Sequence, residues 1–256
     1  MSNNWTREQL LIAINLYCQL PFGKFHQGNP LIIATAAKIG RTPSALAMKL
    51  SNLASLDPDI TGSGRKGLAG ASQLDRAIWA EFSANPDQVG YDSQVLVDQL
   101  AQQEASLTPL SSDEATTITA DYYADNTLSQ TKVRVKQAFF RKAVLSSYQG
   151  RCCITGLAEP KLLVASHIVP WRENAQQRLN PANGLCLSVL HDKAYDQGLL
   201  TVTPDFLIRV SPRLFADQSD LAKDYLWQLD GKPITLPQKF MPNPKFLAYH
   251  ADHIFN

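Results

Sequence analysis

Long apolar runs are missing from this sequence. Nowhere do about eighteen uncharged apolar residues follow one another, so no bilayer-spanning helix is expected. The opening segment MSNNWTREQLLIAINLYCQL breaks its apolar positions with polar ones and has no positive region ahead of an unbroken apolar core. It reads as neither a secretory leader nor an anchor, and the cytoplasm is the expected location. Cysteine is scarce as well: the four residues Cys18, Cys152, Cys153 and Cys186, two of them adjacent, suit neither a secreted disulfide framework nor a four-cysteine zinc site. Reduced thiols are expected. A Cys-x-x-Cys pair starting at Cys152 would need a second thiolate where Thr155 stands, so structural zinc is not expected either. A phosphate-cradling glycine loop is also lacking, which argues against a nucleotide-sensing effector; the GSGRKG stretch is too weak a signal.

What is present is a 256-residue chain of net charge +1, long enough for two modest domains, in which charge is segregated. From Ala77 to Thr131 there is no lysine or arginine, while nine carboxylates fall in the same span. The later part of it, SLTPLSSDEATTITADYYADNTLSQT, is rich in Ser, Thr and Asp with weak periodicity, and reads as a linker. This divides the chain into a segment 1–85, an acidic helix and linker 86–130, and a segment 131–256. Thr127 to Ala158 carries Lys132, Arg134, Lys136, Arg141, Lys142 and Arg151 with no acidic residue. Between Gln9 and Leu56 the charges, Lys24, Arg41 and Lys49 among them, are all positive. Two basic segments flanking an acidic one fit a polyanionic partner, because each neutralised phosphate releases counterions. A solvated helix face is the competing reading of each segment.

In segment 1–85, Thr6 can cap a helix that Pro21 stops, and LIIATAAKIG then ends at Gly40. RTPSALAMKLSNLASLDP follows, with Thr42 as cap and Pro43 at the first helical position. Helix, glycine turn, helix is an arrangement that can place its second helix in a major groove, where Arg41, Lys49 and Asn52 would meet phosphates or base edges. Helix pairs of this kind are also common in proteins that never touch nucleic acid.

The strongest chemical signal lies in ASHIVPW, NPANGLCL and HDKAYDQGLL, which set out His167, Asn183 and His191 in that order. The pattern reads as a strand ending in histidine, a loop, a second short strand and a helix. Taken singly, a histidine closing an apolar strand is usually a hydrogen-bonded core residue. The ordered set resembles the HNH nuclease family over about residues 133–203, and the closing LPQKFMPNPKFLAYHADHIF is similar to tails of its bacterial restriction-type members. The resemblance implies an α+β fold, with a helical, DNA-binding N-terminal domain followed by a ββα-metal (HNH) nuclease domain. It implies a divalent metal cofactor, with Mg²⁺ expected and Mn²⁺ or another divalent ion as alternatives. DNA is the implied partner, no membrane is involved, and a homodimer is one way to cut both strands.

By the same resemblance His167 is the general base, Asn183 orients the loop that carries it, and His191 binds the metal ion. Many members place an aspartate or histidine immediately before the base, where this chain has Ser166, a poor ligand. Asp192 or Asp196 could complete the shell, although neither sits three or four residues from His191. Arg172 and Arg178 could hold the scissile phosphate, with Arg141 and Lys142 extending the basic patch; solvated loop charges are the competing reading. The implied activity is phosphodiester hydrolysis in restriction or anti-phage defence. The alternatives are a nicking or structure-specific nuclease of repair or mobile elements, and a catalytically silent DNA-binding protein.

Overall fold

The protein is described by a computed structural model covering residues 4–107 and 124–256. Seven helices come first: α1 (Arg7–Gln19), α2 (Pro30–Lys38), α3 (Pro43–Ala54), α4 (Pro58–Gly62), α5 (Gln73–Ala84), α6 (Pro86–Leu107) and α7 (Ala124–Ser147). Two antiparallel pairs follow with their helices: β1 (Leu163–His167) and β2 (Gly184–Ser188), then α8 (Val189–Asp196), β3 (Leu200–Val202), β4 (Ile208–Val210), α9 (Asp220–Tyr225) and α10 (Pro244–His253). The fold is α+β, helical at the front and built on small sheets at the back. No helix among the described residues is long and apolar enough to cross a membrane. Of the expected acidic helix and linker 86–130, α6 and the start of α7 fall at its two ends, and residues 108–123 lie outside the described residues.

The helix starts follow capping chemistry. Thr6 and Gln9 form a reciprocal capping box on α1, and the Thr42 hydroxyl accepts from Ala45 N ahead of Pro43 on α3. Gly40 turns the chain between α2 and α3 with φ +67°, a left-handed geometry that glycine adopts without strain. Helix α1 is buried from Leu10 to Cys18 and packs against α3, α5, α6 and α7. Helix α7 then presents Phe139, Phe140, Ala143 and Val144 to the interior and touches β1 and β2. One hydrophobic core therefore runs from Leu10 to Leu247.

The helix pair α2–α3 folds as expected, but its expected DNA contacts point inward. The Lys49 ammonium lies 2.9 and 3.0 Å from the two carboxylate oxygens of Asp75, and the residues are 7% and 0% exposed. A buried pair of this kind joins α3 to the first turn of α5, since an isolated buried charge would be far costlier. Asn52 is also buried and donates to the Gly70 carbonyl. Arg41 donates to Gln9 Oε1 and to the Asn4 carbonyl and stacks over Trp5, bracing the start of α1. Lys49 and Asn52 thus serve packing rather than a major groove. The exposed large apolar residues of the pair are Leu31, Ile33 and Met48, not an array of cations.

The segment before α10 is the tie between front and back. Lys239 is fully buried and donates to the carbonyls of Tyr17, Cys18 and Leu20, the orphan acceptors at the C-terminus of α1. Its ammonium also faces the Tyr17 ring, 4.6 Å from the centroid. Burial lowers the Lys239 pKa from 10.5 to about 8, against upward pulls from Cys18 and Asp57. Below that value the ammonium is charged in the folded and unfolded chain alike, and the full burial cost is present. Between about 8 and 10.5 the unfolded chain binds more protons, so the lysine's contribution to stability rises with pH in that window. Lys239→Met leaves buried carbonyls unpaired, at a cost of about 2 kcal/mol near neutral pH. Urea midpoints are expected to show the gap between wild type and variant widening in favour of the wild type from about pH 7.5 to about pH 9.5. A gap that is constant or shrinking contradicts the assignment.

Candidate active site

Strand β1 delivers His167 at its last position, opposite Gly184 of β2. A Cβ on Gly184 would meet Val144 Cγ2 at 2.3 Å and Phe140 Cζ at 2.9 Å, so glycine lets α7 come close enough to wall the histidine. The imidazole stacks on Phe140, with centroids 3.8 Å apart and planes 10° apart, and meets the edge of Trp171 at 5.5 Å. His167 Nε2 lies 2.9 Å from the Arg178 carbonyl. A carbonyl only accepts, so Nε2 carries the proton and Nδ1 is left with its lone pair. Burial moves the His167 pKa below its ordinary value, opposed by the Arg178 carbonyl. The ring is therefore neutral at neutral pH, the state a general base needs.

The Asn183 side chain holds the connection between β1 and β2. Its Oδ1 accepts from Val169 N at 2.8 Å, and its Nδ2 donates to the carbonyls of Val169 (3.1 Å) and Gln177 (3.2 Å). Its backbone carbonyl takes the Ile168 N–H at 2.9 Å. Asn183 is 1% exposed, and the chain it bridges runs directly to Arg178, the acceptor for His167. Arg178 itself is engaged within this loop, donating from Nε to the Trp171 carbonyl at 2.7 Å with its guanidinium 5.2 Å from the Trp171 ring. Arg141 donates to the carbonyls of Leu163 and Pro160 and ties α7 to the start of β1. Arg172 and Lys142 are exposed.

His167 opens onto a groove of about 750 Å³ whose walls include Ser166, Arg172, Asp192, Asp196 and His250. His191 is not among them. That residue is 4% exposed, with Nδ1 at 2.6 Å from the Ser188 hydroxyl that caps α8, and its Nε2 is buried without a hydrogen-bond partner. It faces the Cys152 thiol inside the finger. Burial alone would raise the Cys152 pKa, but the neighbouring His191 and Thr155 side chains and the Thr155 and Ile154 backbone bring it down to about 6. The expected metal ligand is thus turned into the interior. Among the described residues no three His, Cys, Asp or Glu side chains gather to hold an ion, so the ligand set expected around His191 does not fit the geometry.

Sequence reasoning passed over two residues of this groove. Phe140 comes from α7, and nothing in its local pattern marks it as the wall of a histidine. His250, on α10, is 1% exposed, places Nδ1 2.9 Å from Thr201 Oγ1 and stacks on Tyr195 at 3.6 Å. Burial lowers its pKa to about 4, against an upward pull from the Tyr195 backbone. Only its place three residues before His253 hinted at a role.

The stack on Phe140 covers one face of the His167 ring. In Phe140→Leu, proton NMR titration is expected to show the His167 pKa moving up toward the ordinary value of about 6.5. An unchanged titration would mean that another group sets the shift.

No curated protein matches the chain. The model of the family described as HNH endonuclease matches residues 152–203, which run from Cys152 through β1, the Asn183 turn, β2 and α8 to the end of β3. HNH nucleases generally use a divalent metal ion. The strand, turn, strand and helix that carry His167 and Asn183 are thus the part of this chain that is similar to HNH endonucleases.

Proposed function

We propose that the protein is a metal-dependent DNA endonuclease whose general base is His167. The observation that carries this reading is the imidazole of His167, fixed through Nε2 by the Arg178 carbonyl, in the wall of an open groove beside the exposed Arg172. Nδ1 takes a proton from water. The water oxygen bonds to phosphorus, the bond from phosphorus to the 3′ oxygen breaks, that oxygen takes a proton from solvent, and 5′-phosphate and 3′-hydroxyl ends result. Asn183 acts through the loop, because a base displaced by about 1 Å loses on the order of a hundredfold in rate. Arg172 and Lys142 supply positive charge for the backbone, with Arg178 bracing the loop.

Mg²⁺ is the proposed ion, cytoplasmic DNA the proposed substrate, and restriction or anti-phage defence the proposed role; the similarity of the closing segment to restriction-type members supports that role. One groove cuts one strand, so duplex cleavage takes a homodimer or two successive nicks. The absence of a preformed three-donor site among the described residues favours a second reading, a DNA-binding protein that does not cleave. Supercoiled plasmid and unmodified phage DNA incubated with Mg²⁺, Mn²⁺ or EDTA separate the two. Metal-dependent cleavage is expected, abolished in His167→Ala and about a hundredfold slower in Asn183→Ala. DNA binding without cleavage under either metal would establish the second reading.

A further inference from the structure

With Lys49 and Asn52 turned inward, helix α3 has little left with which to read DNA. Its exposed residues are Ser44 and Met48, one hydroxyl and one thioether, a poor match to the donor and acceptor pattern of base edges. The long connection between β1 and β2 is better equipped. Pro170, Trp171 and Arg172 line the groove beside His167, and Glu173 and Gln176 follow, both exposed. The backbone that carries them is held in place. Glu173 N donates to the Pro170 carbonyl at 3.0 Å, Asn174 Oδ1 accepts from Gln176 N at 3.1 Å, and Arg178 Nε donates to the Trp171 carbonyl at 2.7 Å. The turn Ala175–Gln177 also packs against α6. Among the described residues, the side chains of Glu173 and Gln176 make no hydrogen bond or ion pair. Two polar ends are thus fixed in position by their backbone and left unengaged, as a reader of base edges needs.

We infer that the connection 171–178 reads the bases beside the cut, with Glu173 selecting cytosine and Gln176 adenine. This rests on the DNA endonuclease reading and deepens it by naming what sets the sequence preference. The sign of the charge carries the argument. A loop that only gripped the DNA backbone would gain from cations, yet Glu173 follows directly on Arg172 at the groove. A carboxylate there repels phosphate, and like charges brought together disfavour a complex. The repulsion is offset where a base presents an amino donor, because cytosine N4 donates to a carboxylate. Sequences without that donor leave the charge unpaired, which penalises them. A glutamine amide pairs with N6 and N7 of adenine, donating and accepting at once. Asn183 and the Arg178 carbonyl hold His167, so preference and rate are set by different groups of one loop.

A DNA duplex library with a randomised stretch, mixed with the full chain and Mg²⁺, tests the inference in two ways. The ends cut by the wild type are sequenced, and so are the duplexes retained by His167→Ala. Cytosine at one position and adenine at another are expected to be enriched about tenfold in both sets. Glu173→Gln is expected to move the first preference from cytosine to adenine, and Gln176→Ala to erase the second. Ser44→Ala with Met48→Ala is expected to leave both preferences in place. Random sequences in the wild-type sets, unchanged preferences in the two loop variants, or a shift in the α3 variant would each overturn the inference. Base preference among retained duplexes without any cutting by the wild type would leave this inference standing and remove the nuclease reading. Cutting at random sequences would do the opposite, and neither cutting nor retention would remove both.

Discussion

The hydrogen bond from His167 Nε2 to the Arg178 carbonyl is the constraint on which the site depends. It fixes which nitrogen carries the proton, and so leaves Nδ1 with the lone pair that a base needs. A backbone carbonyl can do this only if the loop holding it is rigid, and that is the work of Asn183. Its amide closes the chain across Val169 and Gln177, while the small Gly184 beside it admits Phe140 and Val144. The short strands, the buried asparagine and the glycine thus converge on one result: an imidazole held in place, neutral, between two aromatic rings.

That arrangement is supported from outside the matched segment. Phe140 belongs to α7, which packs on α1 and α6, so His167 is walled by the helical front of the molecule. The chain from Thr235 to Asn243 then stitches the two together. Thr235 N donates to the Cys153 carbonyl, Gln238 N to the Ser147 carbonyl, Met241 N to Asp59 and Asn243 N to the Ala182 carbonyl, next to Asn183. Lys239 anchors the middle of this strap at the end of α1. One continuous core and this strap thus join the front helices to the loop that holds His167.

Much of this was legible in the sequence. Thr6, Thr42 and Pro43 announced their helices because caps and prolines act locally, and the order of His167, Asn183 and His191 announced the strand, turn and helix unit. Positions whose meaning depends on distant partners were not legible. Lys49 reads as a surface cation until Asp75, far along the chain, is placed against it, and Asn52 reads as a base reader until Gly70 takes its amide. The direction of His191 was hidden for the same reason: a spacing along the sequence gives the helix but not the face, and the cap at Ser188 with Cys152 behind it turns the ring inward.

Nitrogen-15 NMR of the imidazoles in the full chain tests the central claim most directly, because chemical shifts and long-range couplings distinguish the two neutral tautomers. The account predicts that at neutral pH His167 is protonated at Nε2 with an unprotonated Nδ1. A His167 protonated at Nδ1, or at both nitrogens, would contradict it, since no base would then face the groove.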